Sequence, residues 1–445
     1  MSNRYPPTKI RRLNNKTGGS MTCEVAVLNK YAVVLAADSA VTTTDGNGEE
    51  RYSKGGNKIF QLSHSEPVGV MIFGAASICG MPWEVVIKAY RAEHLQQNIF
   101  DSVEEYAKNF FSFLQSAASP ISAELREASL VAYLQDAVLQ ILTEVEKLAP
   151  AIRDSSLPVS DRAAQASSAL DTITQSIEAE PYGDTDLEEE ARRLAAGPPQ
   201  ALQDALNEGL QTGGIADIIS TNRLIELASN RYFRSYEHLL APTGVVFAGY
   251  GKMQYFPAVV EYAVTGFVGS RFVYKKERQS DISIGTPSEI LPFAISSAVD
   301  AFMRGVGLDV FVAVGEAYKR FAAEFARSIL SQAQAQEPTN LEDEVAKSTK
   351  LFRQAWYGQV LQSHYHSLKR VIASLPMEEM THLAETLVTL ESLKEKVTSP
   401  KQSVGGPIDV AVITKSEGLV WIKRKHFFDS DKNLRFILRQ RAFYQ

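Results

Sequence analysis

Cysteine is nearly absent from this chain, whose 445 residues include only Cys23 and Cys79. Two thiols give neither a disulfide framework nor a zinc set, and they suit a reducing compartment, so a cytoplasmic location is expected. Long apolar runs are also missing. No stretch approaches the ~18 residues that span a bilayer, and the first 21 residues lack the apolar segment of a secretory signal, so no membrane partner is expected. Positive charge is not in excess: 46 Lys and Arg against 52 Asp and Glu leave a net charge of -6, with no push toward nucleic acid. Histidine is sparse. His364 and His366 stand two apart, on different helix faces, and no His-Glu-x-x-His occurs, so neither a metal nor a cofactor is expected.

What remains is a globular composition, 45% hydrophobic and 22% charged, in a chain long enough for a large core. Near its start, the apolar runs Val25 to Leu28 and Ala32 to Ala37 flank Asn29-Lys30-Tyr31, which reads as two buried strands joined by a tight hairpin turn. Thr22 before the first strand and Asp38 after the second then finish at the same end of one sheet. Taken alone, such a pair is most often a strand-edge residue and a turn residue.

Upstream, residues 1–21 carry Arg4, Lys9, Arg11, Arg12 and Lys16 with no acid, together with Pro6-Pro7 and Gly18-Gly19. This stretch reads as a flexible basic leader: a propeptide, an ordinary disordered terminus, or an extension ahead of a start at Met21. Downstream, Asp45 to Glu50 alternates oxygen ligands like a calcium loop but has no glycine at the sixth position and Gly56 at the twelfth, so a hairpin turn is expected there. Gly55-Gly56 lacks the spacing and Ser/Thr of a phosphate-binding loop. Pro82 to Gln97 places Trp83, Val86, Ile87 and Tyr90 at helical spacing.

Leu35 to Ser39, Gly55 to Phe60 and Gly69 to Ala76 together resemble, in order and approximate spacing, the N-terminal half of proteasome β-type subunits, members of the N-terminal nucleophile hydrolases. In that family a threonine with a free α-amine opens the first strand, an aspartate follows the second, a lysine begins a third and a glycine ends a fourth. The resemblance puts these roles on Thr22, Asp38, Lys58 and Gly74, and is clearest from Thr22 to Tyr90. Met21 stands where the family usually has glycine; threonine after an initiator methionine is small enough for methionine aminopeptidase to expose it.

Residues 101–240 read as mostly helical and exceed the helix pair such a subunit needs, which implies an insertion. Strands are expected at Gly244 to Gly251 and Ala258 to Val264, then near Arg271 to Tyr274 and Ile282 to Ile284. The segment Phe293 to Asp300 resembles the family's turn before its third core helix and puts an accessory serine at Ser297, with Ser296 and Thr286 as rivals. Amphipathic helices at about 310–334, 341–375 and 377–397 imply a second insertion, over about 310–397. Ser403-Val404-Gly405-Gly406 and a hairpin at Ile408 to Thr414 and Leu419 to Lys423 resemble the family's closing segment, with Ser403 in place of its serine and no acid beside it.

The resemblance thus implies an α+β fold over residues 22–445: a four-layer αββα sandwich of two antiparallel sheets with helices on both outer faces, plus large helical insertions. It further implies a threonine hydrolase acting on amide bonds of a peptide or protein substrate through an acyl-enzyme intermediate, in a homo-oligomer of which the family's form is a ring. Two alternatives stay open, a catalytically silent scaffold subunit and a small-molecule amidohydrolase on the same fold.

Overall fold

The computed structural model describes residues 22–44, 50–95, 98–398, 405–426, 428, 432–435 and 438. The leader at 1–21 and the hairpin turn read at Asp45 to Glu50, apart from Glu50 itself, lie outside the described residues, and so does Ser403.

The chain opens with β1 (Cys23–Asn29) and β2 (Val33–Ala37), paired antiparallel as the sequence predicts. Asn29 closes the turn by accepting from Tyr31 N at 2.9 Å, and its Nδ2 donates to Ile372 O at 3.1 Å and Leu375 O at 3.0 Å. A short hairpin follows, β3 (Val41–Thr44) with β4 (Glu50–Ser53). Next come β5 (Ile59–Gln61), β6 (Val68–Phe73), the two-residue strands β7 (Ser77–Ile78) and β8 (Met81–Pro82), and α1 (Trp83–Ala89). A π-helical turn, Tyr90–Leu95, extends α1, and α2 (Val103–Gln115) is N-capped by Ser102.

Five helices then form a unit with its own core: α3 (Ala123–Leu148), α4 (Val159–Glu178), α5 (Thr185–Ala196), α6 (Gln200–Thr212) and α7 (Thr221–Leu239). The sheets resume with β9 (Thr243–Gly249), β10 (Ala258–Val268), β11 (Arg271–Asp281) and β12 (Ser288–Ala294). After α8 (Ser297–Arg304) come α9 (Leu308–Gln332) and α10 (Leu341–Val360), then α11 (His366–Ile372) and α12 (Met377–Thr398). The closing hairpin is β13 (Asp409–Thr414) with β14 (Gly418–Lys423).

Two five-stranded antiparallel sheets result, ordered β12-β1-β2-β13-β14 and β11-β10-β9-β6-β5. Apolar side chains between them, among them Ala26, Leu28, Leu35, Met71, Val246 and Val259, form the central layer. The other face of the first sheet, with Val25, Val27 and Val34, packs on α8, α11 and α12; the second sheet packs on α1 and α2. The fold is therefore the four-layer αββα sandwich with added helices. Strands buried on both faces require continuous apolar runs, which is how β1 and β2 read.

One strand departs from the sequence reading. Ile282 to Ile284 lies outside any strand, whereas β12 at Ser288–Ala294 pairs with all of β1. Pro292 lies within it and argues against a central strand, but β12 is an edge strand, where a missing N–H is tolerated.

Candidate active site

The hairpin register brings the two ends of β1 and β2 together. Glu24 pairs with Ala37, and one step further Asp38 N donates to Cys23 O at 3.2 Å. On the other side of β1, Ile295 N donates to Thr22 O at 3.0 Å, which fixes the threonine backbone between β12 and β2. Lys58, just ahead of β5, comes from the second sheet; its carbonyl accepts from Ile72 N at 2.9 Å. Lys58 Nζ donates to Asp38 Oδ1, and Gly405 N donates to Asp38 Oδ2 at 2.8 Å. The closing glycines thus reach the aspartate directly.

A further residue, not expected from the sequence, completes the cluster. Side chains alternate along a strand, so Glu24 shares the inter-sheet face with Ala26 and Leu28. There its Oε2 accepts from Thr22 Oγ1 at 3.1 Å, and its Oε1 lies 2.9 Å from Lys58 Nζ. Glu24 shares that ammonium with Asp38. Thr22, Glu24, Asp38 and Lys58 are all buried, at 1%, 0%, 1% and 5% exposure, so water screens none of these charges. The signal was available: an acid inside a two-faced apolar run must have a partner.

Burial pushes Glu24 up to about 7, against the opposing pull of Lys58. Burial likewise raises Asp38, opposed by Lys58 and by the Gly405 N–H. For Lys58, burial acts downward, but the two carboxylates outweigh it and hold the ammonium above the ordinary lysine value. The two carboxylates hold Lys58 as a cation, and burial favours the protonated form of both acids more than water does.

Gly74 ends β6 with φ +87°, a conformation side chains rarely adopt. Its neighbour Phe73 packs on Phe293 with ring centroids 5.7 Å apart, and Phe293 pairs with Glu24 across the first sheet, so Gly74 follows from the same end of the sandwich. Beside it, a cavity of about 50 Å³ is lined by Ala75, Thr243, Trp83 and Tyr133.

The serines are placed differently. Ser297 begins α8 and turns toward α12: Oγ donates to Glu391 Oε1 at 2.8 Å and accepts from Lys394 Nζ at 2.7 Å. Ser296 Oγ donates to Asp300 Oδ2 at 2.8 Å. Thr286 precedes β12, at the end where Asn29 pairs with Ser288, opposite Thr22. The structure therefore gathers Thr22, Asp38 and Lys58, adds Glu24, sets Gly74 at the same end, and begins α8 there with the Ser297 hydroxyl turned to Glu391 of α12. Among the described residues no group of three His, Cys, Asp or Glu side chains could hold a metal, and no helix is long and apolar enough to cross a membrane.

No family model and no curated protein matches the chain. Among solved structures it is similar to the Anbu (Gly-1) mutant from Hyphomicrobium sp. strain MC1, at 9% identity and a TM-score of 0.28, over 95% of this chain and 97% of that one. The functional reading rests on the site's own geometry.

Proposed function

We propose that this chain is a threonine hydrolase that cleaves amide bonds, those of peptides foremost, with Thr22 as nucleophile. The observation that carries the reading is the buried set of Thr22, Glu24, Lys58 and Asp38 at one end of an αββα sandwich. A hydroxyl attacks a carbonyl only if its proton has somewhere to go, and a fixed cation nearby stabilises the charge that develops. Lys58 is that cation, Asp38 holds it in place, and the Gly74 N–H is the donor assigned to the carbonyl oxygen. A threonine α-amine, free when a chain begins at Thr22, titrates near ~8 and serves as base in chemistry of this kind. Self-association into a homo-oligomer belongs to the same reading and is measured by light scattering on the purified protein.

The experiment pairs intact-mass analysis with a peptidase assay and an electrophilic peptide inhibitor. Thr22→Ala should abolish turnover and labelling and should cost about 1–3 kcal/mol of stability without unfolding the protein, because it leaves the buried Glu24 Oε2 without its hydroxyl donor; Thr22→Ser should keep part of the rate. Unchanged turnover in Thr22→Ala would remove the nucleophile assignment. One observation favours a second reading, the silent scaffold: the Thr22 residue is only 1% exposed. An unlabelled native protein that turns over no peptide would establish that alternative.

A further inference from the structure

Of the charged groups around Thr22, one touches its hydroxyl. Glu24 Oε2 stands 3.1 Å from Thr22 Oγ1, inside a layer that excludes water. Asp38 is committed to Lys58 and to Gly405 N, and Lys58, held by two carboxylates, has no lone pair to accept a proton. Glu24 faces both partners: its Oε1 lies 2.9 Å from Lys58 Nζ, and its Oε2 is the oxygen turned to the Thr22 hydroxyl. We propose that Glu24 is a catalytic residue of this site: where Thr22 is still joined to Met21 and its nitrogen is an amide with no basic lone pair, Glu24 is the base that takes the Thr22 hydroxyl proton and returns it to the leaving amine.

The proposal rests on Thr22 being the nucleophile and names its proton acceptor. In acylation the Thr22 Oγ–C bond forms as the Oγ proton moves to Glu24 Oε2; the C–N bond then breaks and that proton passes to the amine nitrogen. In deacylation water gives a proton to Glu24, its oxygen bonds to the carbonyl carbon, and the proton returns to Thr22 Oγ as the ester breaks. No oxidant, reductant or metal is consumed. A carboxylate in water is too weak a base for this, but burial brings Glu24 near neutrality, where proton transfer is most effective. The groups that set its titration are Lys58 ahead of β5, Asp38 after β2 and the Thr22 hydroxyl; the Cys23 thiol beside it on β1 feels its charge in turn, and the Arg278 guanidinium of β11, paired with Glu261 of β10, lies over the ring of its cross-strand neighbour Phe293.

The test uses the full chain, its N-terminus recorded by intact mass, and a β-lactone as probe. Lactone opening forms one ester at Thr22 Oγ, breaks the ring C–O bond and delivers the hydroxyl proton to the ring oxygen. Glu24→Gln keeps the shape and an acceptor oxygen for the Thr22 hydroxyl but removes the base, so labelling should slow at least ~100-fold. In a Thr22→Cys background, where the nucleophile ionises far more readily, the same substitution should cost less than tenfold. An equal loss in both backgrounds would reassign Glu24 to structure, and a Glu24→Gln rate within threefold of native would overturn the proposal outright. Should Glu24→Gln not fold, the native protein decides: labelling should fall tenfold per pH unit below neutrality, and a flat profile from pH 5.5 to 8.5 would end the idea. An unlabelled native protein removes the nucleophile itself and this proposal with it, whereas a labelled native protein beside an equally reactive Glu24→Gln removes this proposal alone.

Discussion

Glu24 and Glu391 are both fully buried, and each has a lysine nearby and accepts from a hydroxyl at the start of an element. Their surroundings differ in the number of donors. Glu391 also receives Ala298 N at 2.7 Å and Val299 N at 3.1 Å from the first turn of α8, where the helix dipole favours a negative charge. Glu24 has one hydroxyl and an ammonium that it shares with Asp38. The carboxylate that receives two backbone N–H groups and a hydroxyl is a cap that locks α12 onto α8; the one held by a hydroxyl and a shared ammonium, with no backbone donor, has a proton within reach on the hydroxyl it faces. Two glutamates of equal burial are thus assigned opposite work by the backbone N–H groups around them.

The largest effect should come from removing the cation that holds the Glu24 side together. Lys58→Ala leaves two carboxylates buried without a counter-charge and should cost about 3–5 kcal/mol, measured by denaturant unfolding. Lys58→Arg should lose nearly as much labelling at Thr22, since a planar fork does not fit a site built around a compact ammonium. Full activity in Lys58→Arg would make the ion pair purely structural.

Next is the pH dependence of stability. Glu24 binds a proton more tightly folded than unfolded, so its favourable contribution is fully present below pH 4.5 and is lost as pH rises to about 7. That span corresponds to about 3 kcal/mol, and the native protein should lose it relative to Glu24→Gln between pH 4 and pH 8. Parallel stability curves for the two proteins would refute the shift.

Glu391→Ala should cost about 2 kcal/mol by stripping the cap from α8, and should leave the pH profile of Thr22 labelling unaltered. A changed profile would mean that the two glutamates communicate. Smallest is Ala294→Gly. Ala294 has φ +54° opposite Cys23, and relieving that conformation offsets the chain entropy of glycine, so stability should move by less than about 1 kcal/mol.

Much of the site was legible because it is local. The hairpin that joins Thr22 to Asp38 follows from two apolar runs and a polar turn, whereas the site roles of Thr22, Asp38, Lys58 and Gly74 came from the resemblance of these segments, in order and spacing, to proteasome β-type subunits. Glu24 was passed over because local pattern gives no distance to a residue on another sheet, although its acid in an apolar strand was a visible anomaly. The strand at Ser288–Ala294 was obscured by Pro292, and Ser297 was placed by likeness to a turn whose glycines this chain lacks. Its hydroxyl is engaged by Glu391, about ninety residues later in the chain.

The sequence by itself determined the alternation of buried strands and amphipathic helices, because periodicity and apolar content act over a few residues, while the layered class came from the family resemblance. It also put a hydroxyl, an acid and a lysine at strand ends. Only the tertiary structure decided that Lys58 of one sheet would lie between Asp38 and Glu24 of the other, that Glu24 would meet the Thr22 hydroxyl, and that Glu391 would be saturated by a helix end. The physical reason is that a charge's state depends on the donors and the water within a few ångströms, and those are supplied by segments far apart in the chain.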